Sequence, residues 1–229
     1  ETDKRTEESK LTAYAGLNTT LSTLRSSFAA LSSTDAYGAL KATASDTSVL
    51  SATATSVATP GTFTLNVTSL ARPQVTTSGA GQFSDINATL FDSGAFSITQ
   101  NGSTTNVNLT GVDSLAELRD AINAQQTGVK ASIINDGSGA TPFRLVLTSV
   151  NPGVAKAFTV SDTTKLGAGV AGAVLNLSTD ATNGVAKDTE FTYNGIAVKS
   201  SSTTVGEAIP GLSLSILKTG STSVTVTDD

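Results

Sequence analysis

The sequence contains no cysteine, no histidine, no methionine and no tryptophan. Without cysteine there is no disulfide, no thiolate nucleophile and no cysteine zinc site. Without histidine the commonest general base and metal ligand are both missing, and so is any Ser-His-Asp triad. Only 14% of residues are charged and 5% are aromatic. No apolar run approaches the roughly 20 residues that span a bilayer, so a soluble chain without membrane insertion is expected. The chain opens on Glu1 and lacks Met, which reads as a processed product or an excised piece.

The net charge is −5, and the 14 Lys and Arg residues are scattered singly apart from the adjacent Lys4-Arg5. Nucleic-acid binders carry a clustered basic footprint, because phosphate neutralisation supplies much of their affinity. None is found here. The one dense run of charge, Glu1 to Lys10, mixes both signs and reads as a solvated helix end. Ser, Thr, Ala and Gly dominate, as in exported, surface-exposed proteins.

With 229 residues, the chain holds one large domain or two ordinary ones. Residues 1 to about 33 predict a helix. Its apolar residues Leu11, Tyr14, Leu17, Leu21, Leu24, Phe28 and Leu31 advance in steps of 3, 3, 4, 3, 4 and 3. That spacing keeps them on one face. An amphipathic face needs a partner, and no second long helix follows. The stripe therefore packs on another chain, on helices outside this sequence, or on the β-rich part downstream.

From Leu40 the period becomes two. Strands are expected at Leu40 to Ala44, Val49 to Thr55 and Thr62 to Leu70, with Pro60-Gly61 as a turn. Thr76 to Gln82 reads as a connection, and a second unit begins near Phe83. Ala95 to Gln100 and Thr104 to Leu109 flank Asn101-Gly102, a tight-hairpin dipeptide. Ser114 with Glu117 forms a capping box for a short helix buried through Leu115, Leu118 and Ile122 and stopped by Gly128. Strands follow at Val129 to Asn135, Phe143 to Ser149 and Phe158 to Ser161, and residues 163 to 187 contain the return connection. The last strands are Thr189 to Tyr193, Ile196 to Lys199, Leu212 to Leu217 and Ser223 to Thr227. Asn194-Gly195 is a second hairpin turn, and Thr204 to Ile209 reads as one helical turn.

Catalytic chemistry is poorly represented. Gly167, Gly169 and Gly172 fit G-x-G-x-x-G, yet no long helix follows, and a flexible loop is the better reading. The acidic residues mostly stand alone, without EF-hand spacing. A glycosidase pair of carboxylates brought together in space stays open as a remote alternative. No catalytic, cofactor-binding or metal-binding residues are expected.

Four segments together resemble the bacterial flagellar filament cap family, also called hook-associated protein 2. Lys10-Leu11-Thr12-Ala13-Tyr14 with Leu17 is similar to the leg-helix pattern K-L-x-A-Y-x-x-L. Gly61-Thr62-Phe63-Thr64-Leu65-Asn66-Val67 through Leu70-Ala71 and Gln74 resembles G-x-Y-x-I-x-V-x-x-L-A-x-x-Q, with Phe63 in place of Tyr. Ala121-Ile122-Asn123, Gly128 to Ile133 and Arg144 to Ser149 resemble the IN module of flagellins and hook-associated proteins. Phe191 to Gly195, Ile209 to Leu214 and Val224 to Thr227 resemble the closing strands of the head.

The resemblance implies an α+β, mainly β fold: an N-terminal amphipathic helix, then two β-rich head domains with the outer inserted into the inner. The implied division is leg 1–42, inner head 43–80 with 181–229, and outer head 81–180. It also implies packing of Leu11, Tyr14, Leu17, Leu21, Leu24, Phe28 and Leu31 within a leg bundle. The implied protein is no enzyme. It is a homo-oligomeric ring at the filament tip, extracellular, exported through the flagellar type III pathway, that promotes flagellin insertion and prevents flagellin loss. Implied partners are further copies of itself, flagellin and hook–filament junction proteins. An adhesin built of β modules, binding host mucin or glycan, is the alternative and is compatible with capping.

Overall fold

The computed structural model describes residues 2–31, 39–89, 91–125, 127–166 and 175–228. The chain begins with α1 (Thr2–Leu31). Next come β1 (Leu40–Ala44), β2 (Leu50–Ala54), β3 (Gly61–Ser69), β4 (Val75–Thr77), β5 (Phe91–Ser93), β6 (Phe96–Gln100) and β7 (Ser103–Val107). After α2 (Leu115–Ala124) follow β8 (Val129–Asn135), β9 (Phe143–Ser149), β10 (Phe158–Asp162), β11 (Lys165–Leu166) and β12 (Ser178–Thr179). The chain closes with β13 (Thr189–Tyr193), β14 (Ile196–Ser200), β15 (Thr204–Ile209), β16 (Leu212–Ile216) and β17 (Gly220–Asp228). The fold is α+β and mainly β.

Two hydrophobic cores form. The first lies between a five-stranded sheet, order β1-β17-β3-β13-β14, and a three-stranded sheet, order β15-β16-β2. All pairings in both are antiparallel. The Leu-Ser-Leu-Ser-Ile alternation of β16 explains why. Successive side chains of a strand face opposite ways, so Leu212, Leu214 and Ile216 go inward while Ser213 and Ser215 stay outside them. Leu65, Val67, Phe191, Val224 and Val226 meet them from the larger sheet.

The second core lies between residues 83 and 175. It is enclosed by a four-stranded sheet (β12-β4-β9-β8), a three-stranded sheet (β10-β6-β7) and α2, while β11 and β5 form a separate two-stranded pair. Leu115, Leu118 and Ile122 of α2 are fully buried in it. Burying each contributes about 1.5–3 kcal/mol. The capping box is present: Ser114 Oγ accepts from Glu117 N–H, and Glu117 Oε2 accepts from Ser114 N–H at 3.0 Å. The hairpin turns also form as read, with Asn101 (φ 53), Gly102 (φ 75), Asn194 (φ 48) and Gly195 (φ 85) all left-handed, as type I′ requires.

Two readings are corrected. Thr76 to Gln82 is no simple connection, because Val75–Thr77 is β4, an inner strand between β9 and β12. Thr204 to Ile209 is no helical turn but the strand β15. Its register shifts between Val205 and Ile209, and the irregularity turns a helix-like spacing of apolar residues into two buried strand positions. The Gly167 to Gly172 segment lies outside the described residues.

Candidate functional site

The site that stands out is α1. Its 30 residues make a rod about 45 Å long at 1.5 Å per residue. Every residue from Asp3 to Ala29 is exposed, so the helix does not rest on the β-rich part of the chain. Leu11 is 74% exposed, Tyr14 70%, Leu17 56%, Leu21 55%, Leu24 51% and Phe28 63%. Leu31 closes the helix. From Tyr14 onward the stripe is stricter than a general amphipathic face. Tyr14, Leu17, Leu21, Leu24, Phe28 and Leu31 occupy alternating a and d positions of a heptad, the narrow seam of a left-handed coiled coil.

The rest of the helix is finished internally. The hydroxyls of Thr12, Thr19, Thr20, Thr23, Ser26 and Ser27 donate to carbonyls four residues back at 2.9–3.0 Å. Such back-bonding satisfies the hydroxyls without supporting the helix, and it bends helices slightly. The Lys10–Glu7 ion pair, at 2.8 Å and with both side chains largely exposed, adds little. An isolated helix of this composition is marginal in water. Covering the seam would contribute about 1–2 kcal/mol per large side chain.

The attachment point of α1 is also informative. β1, the first strand after the helix, pairs with β17, the last, through Leu40↔Asp228 to Ala44↔Val224. The end of β17 therefore lies beside Leu40, the first residue of β1.

The segment resembling an IN module gives its two name residues separate tasks. Ile122 is fully buried. Asn123 donates from Nδ2 to Ala131 O and accepts at Oδ1 from Ala131 N–H, both at 2.9 Å. Ala131 lies on β8, an edge strand, so Asn123 satisfies the free edge and locks α2 against it. Gln74 is a second buried polar anchor. Its amide donates to Phe158 O at 2.8 Å and accepts from Phe158 N–H at 3.0 Å. Thr76 and Thr179 hydroxyls meet beside it at 2.7 Å.

The hollows of the first core are chemically plain. One of about 320 Å³ is lined by Phe63, Tyr193, Ile196, Val198, Ile209 and Pro210, among others. The Phe63 and Tyr193 rings stack there at 5.1 Å, and burial pushes the Tyr193 phenol up. Among the described residues lining this hollow and a neighbouring trough along Lys199, Ser200 and Thr204 to Gly206, none is a carboxylate. Among the described residues no three acidic side chains gather as a metal site would require, and no helix is long and apolar enough to cross a membrane.

Comparisons with known proteins agree over most of the chain. A family model described as "Flagellar hook-associated protein 2 N-terminus" matches residues 1–74, and one described as "Flagellin hook IN motif" matches residues 95–151. The flagellar hook-associated protein 2 of Escherichia coli K12 is 32% identical over 207 residues, covering 86% of this chain and 43% of that protein. The B-type flagellar hook-associated protein 2 of Pseudomonas aeruginosa is 31% identical over 239 residues, covering 93% and 47%. The chain thus spans less than half the length of these relatives. The crystal structure of the D1-D2-D3 domains of the Escherichia coli flagellar cap protein FliD superposes with a TM-score of 0.75 at 30% identity, covering 96% of this chain and 63% of that one. The D2-D3 domains of the same protein superpose at 0.69, with 29% identity and coverage of 84% and 100%. With the two family models, these relatives and these superpositions all agreeing, the chain belongs to the flagellar hook-associated protein 2 family, the flagellar filament cap proteins.

Proposed function

We propose that this chain is the head, with part of the leg, of a self-assembling cap at the tip of a bacterial flagellar filament. In this reading it acts without covalent chemistry: it promotes flagellin insertion and prevents flagellin loss. The observation that carries the proposal is the heptad seam of α1, exposed from Tyr14 to Phe28, which suits helical partners and is left uncovered by the other described residues. The pairing of β1 with β17 supports it, since a chain continuing past Asp228 would leave the head next to Leu40, at the start of β1, and could supply one such partner. Residues 1–42 are then leg, 43–80 with 181–229 inner head, and 81–180 outer head. The cap works as a ring of copies of itself, outside the cell, with flagellin as its client. The match to a motif described for flagellin supports that partner.

Replacing Leu21 and Leu24 with Asp in the full-length protein tests the seam. Both residues are at seam positions, and a carboxylate buried there without a partner costs several kcal/mol. The variant should be made and exported, fail to stay at filament tips, and release flagellin into the medium. Undiminished filament growth with the double variant would show that α1 packs by another face or none.

A further inference from the structure

We propose that the two β-rich bodies are held at one fixed angle by a built brace, with Arg72 and Asp188 as its positioning residues. The inference stands on the fold alone and is independent of capping. Two chain crossings join the bodies, one outbound at residues 70–75 and one returning at 180–189. They do not run separately. Ala71 N–H donates to Thr189 Oγ1 at 2.9 Å. Arg72 and Lys187 exchange backbone bonds at 3.0 and 3.1 Å, and Val75 N–H donates to Gly184 O at 2.8 Å. With β4–β12 at one end and β3–β13 at the other, the crossings form a nearly continuous antiparallel ribbon.

Besides the register shift between Glu190 and Phe191 where β13 meets β3, the ribbon bulges at residues 180–186, and the Arg72 side chain is bonded to that bulge. Its Nε donates to Val185 O at 2.9 Å and its Nη2 to Thr182 O. The loop is shaped from the other side by Asp180, whose carboxylate accepts from Thr182 and Asn183 N–H groups. Those amides, Asn183 first, together with the Arg72 charge hold the Asp180 carboxyl below the usual range. A planar fork that reaches two carbonyls at once is a property of Arg that Lys lacks.

A third strap comes from the turn after β9, which belongs to the second core. Gly153 N–H donates to Arg72 O at 3.3 Å, and Val154 N–H donates to Asp188 Oδ1 at 2.7 Å. Gly153 has φ 101, and a Cβ there would lie 2.6 Å from Ser201 Cβ, on the loop after β14 of the first body. The bodies therefore touch through a residue with no side chain. Two crossings alone allow a hinge about the ribbon, and the third strap removes that freedom.

Because the chain has no cysteine, a spin-label pair introduced at Ala197→Cys and Ser103→Cys reports only the distance between the two bodies. Pulsed dipolar spectroscopy should give a narrow distribution for the parent chain. Arg72→Ala with Asp188→Ala should broaden it while hydrogen-exchange protection inside each core stays unchanged. Asp188→Asn, which keeps the acceptor, should leave the distribution narrow. Gly153→Val, which leaves both Arg72 and Asp188 in place, should shift its maximum. A parent distribution as broad as that of the double variant, or a double variant as narrow as the parent, overturns the brace. So does loss of core protection in the double variant, because the junction would then belong to a core.

Discussion

Gln74 offers the sharpest energetic test of how the second body is held together. Gln74→Leu keeps the approximate volume but removes the amide that pairs with both backbone groups of Phe158. Phe158 is 4% exposed, and its β10 ladder partners lie on the other side, in β6. The substitution leaves one buried N–H and one buried C=O without partners. Each orphan costs about 1–3 kcal/mol, while Thr76 and Thr179 still satisfy each other, so the expected loss is about 3 kcal/mol. For a body of this size that corresponds to a fall of roughly 10–25 °C in its melting temperature. Amide hydrogen exchange assigns the loss. Protection of Leu145 and Leu147 should fall by about 3 kcal/mol, while that of Leu65 and Val224 in the other core stays constant. A second body that loses under about 0.5 kcal/mol, or a first body that loses as much as the second, would refute the reasoning.

Two further predictions concern the same bodies. Ser114→Ala removes the N-cap acceptor of α2 and should cost the second body about 1 kcal/mol in urea unfolding; no measurable change would mean that packing alone holds α2. The pH response follows from five carboxylates held below the usual range: Asp46 chiefly by the Ser48 hydroxyl, Glu117 by the Asp113 N–H, Asp120 by the Arg119 guanidinium, Asp136 by the Ser138 hydroxyl and Asp180 by the Asn183 N–H. A folded pKa below the unfolded one contributes stability above the ordinary carboxyl pKa, and that stability is lost as pH falls through the lowered values. Melting temperature should therefore be level near neutrality and decline below about pH 4; a chain more stable at about pH 3 than at about pH 7 would contradict these contacts.

Most of the fold was legible because most strands here obey one rule, apolar side chains on one face at period two. β1, β8, β9 and β13 have the limits their patterns predict. β4 escaped because it inverts the rule. Gln74, Thr76 and Ser78 face inward at 8%, 5% and 1% exposure, while Pro73, Val75 and Thr77 are less buried. The period was present, but its buried face is polar and satisfied by hydrogen bonds, which no hydrophobic pattern reveals. β15 escaped because Val205 and Ile209 are four apart, as on a helix. β5, β11 and β12 are two or three residues long and owe their state to distant partners. For α1 the stripe was legible from spacing, and the exposure of Leu11 to Phe28 was not, since exposure depends on what the remainder of the fold leaves uncovered. The brace at Arg72 was equally invisible, because it joins residues more than a hundred positions apart.

The most direct test of the central claim is the partition of flagellin between culture medium and filaments in a strain lacking the full-length gene. A capping role requires monomeric flagellin in the medium and short or absent filaments, both reversed when the gene is restored. Filaments of normal length without the gene, and no flagellin in the medium, would contradict a capping role.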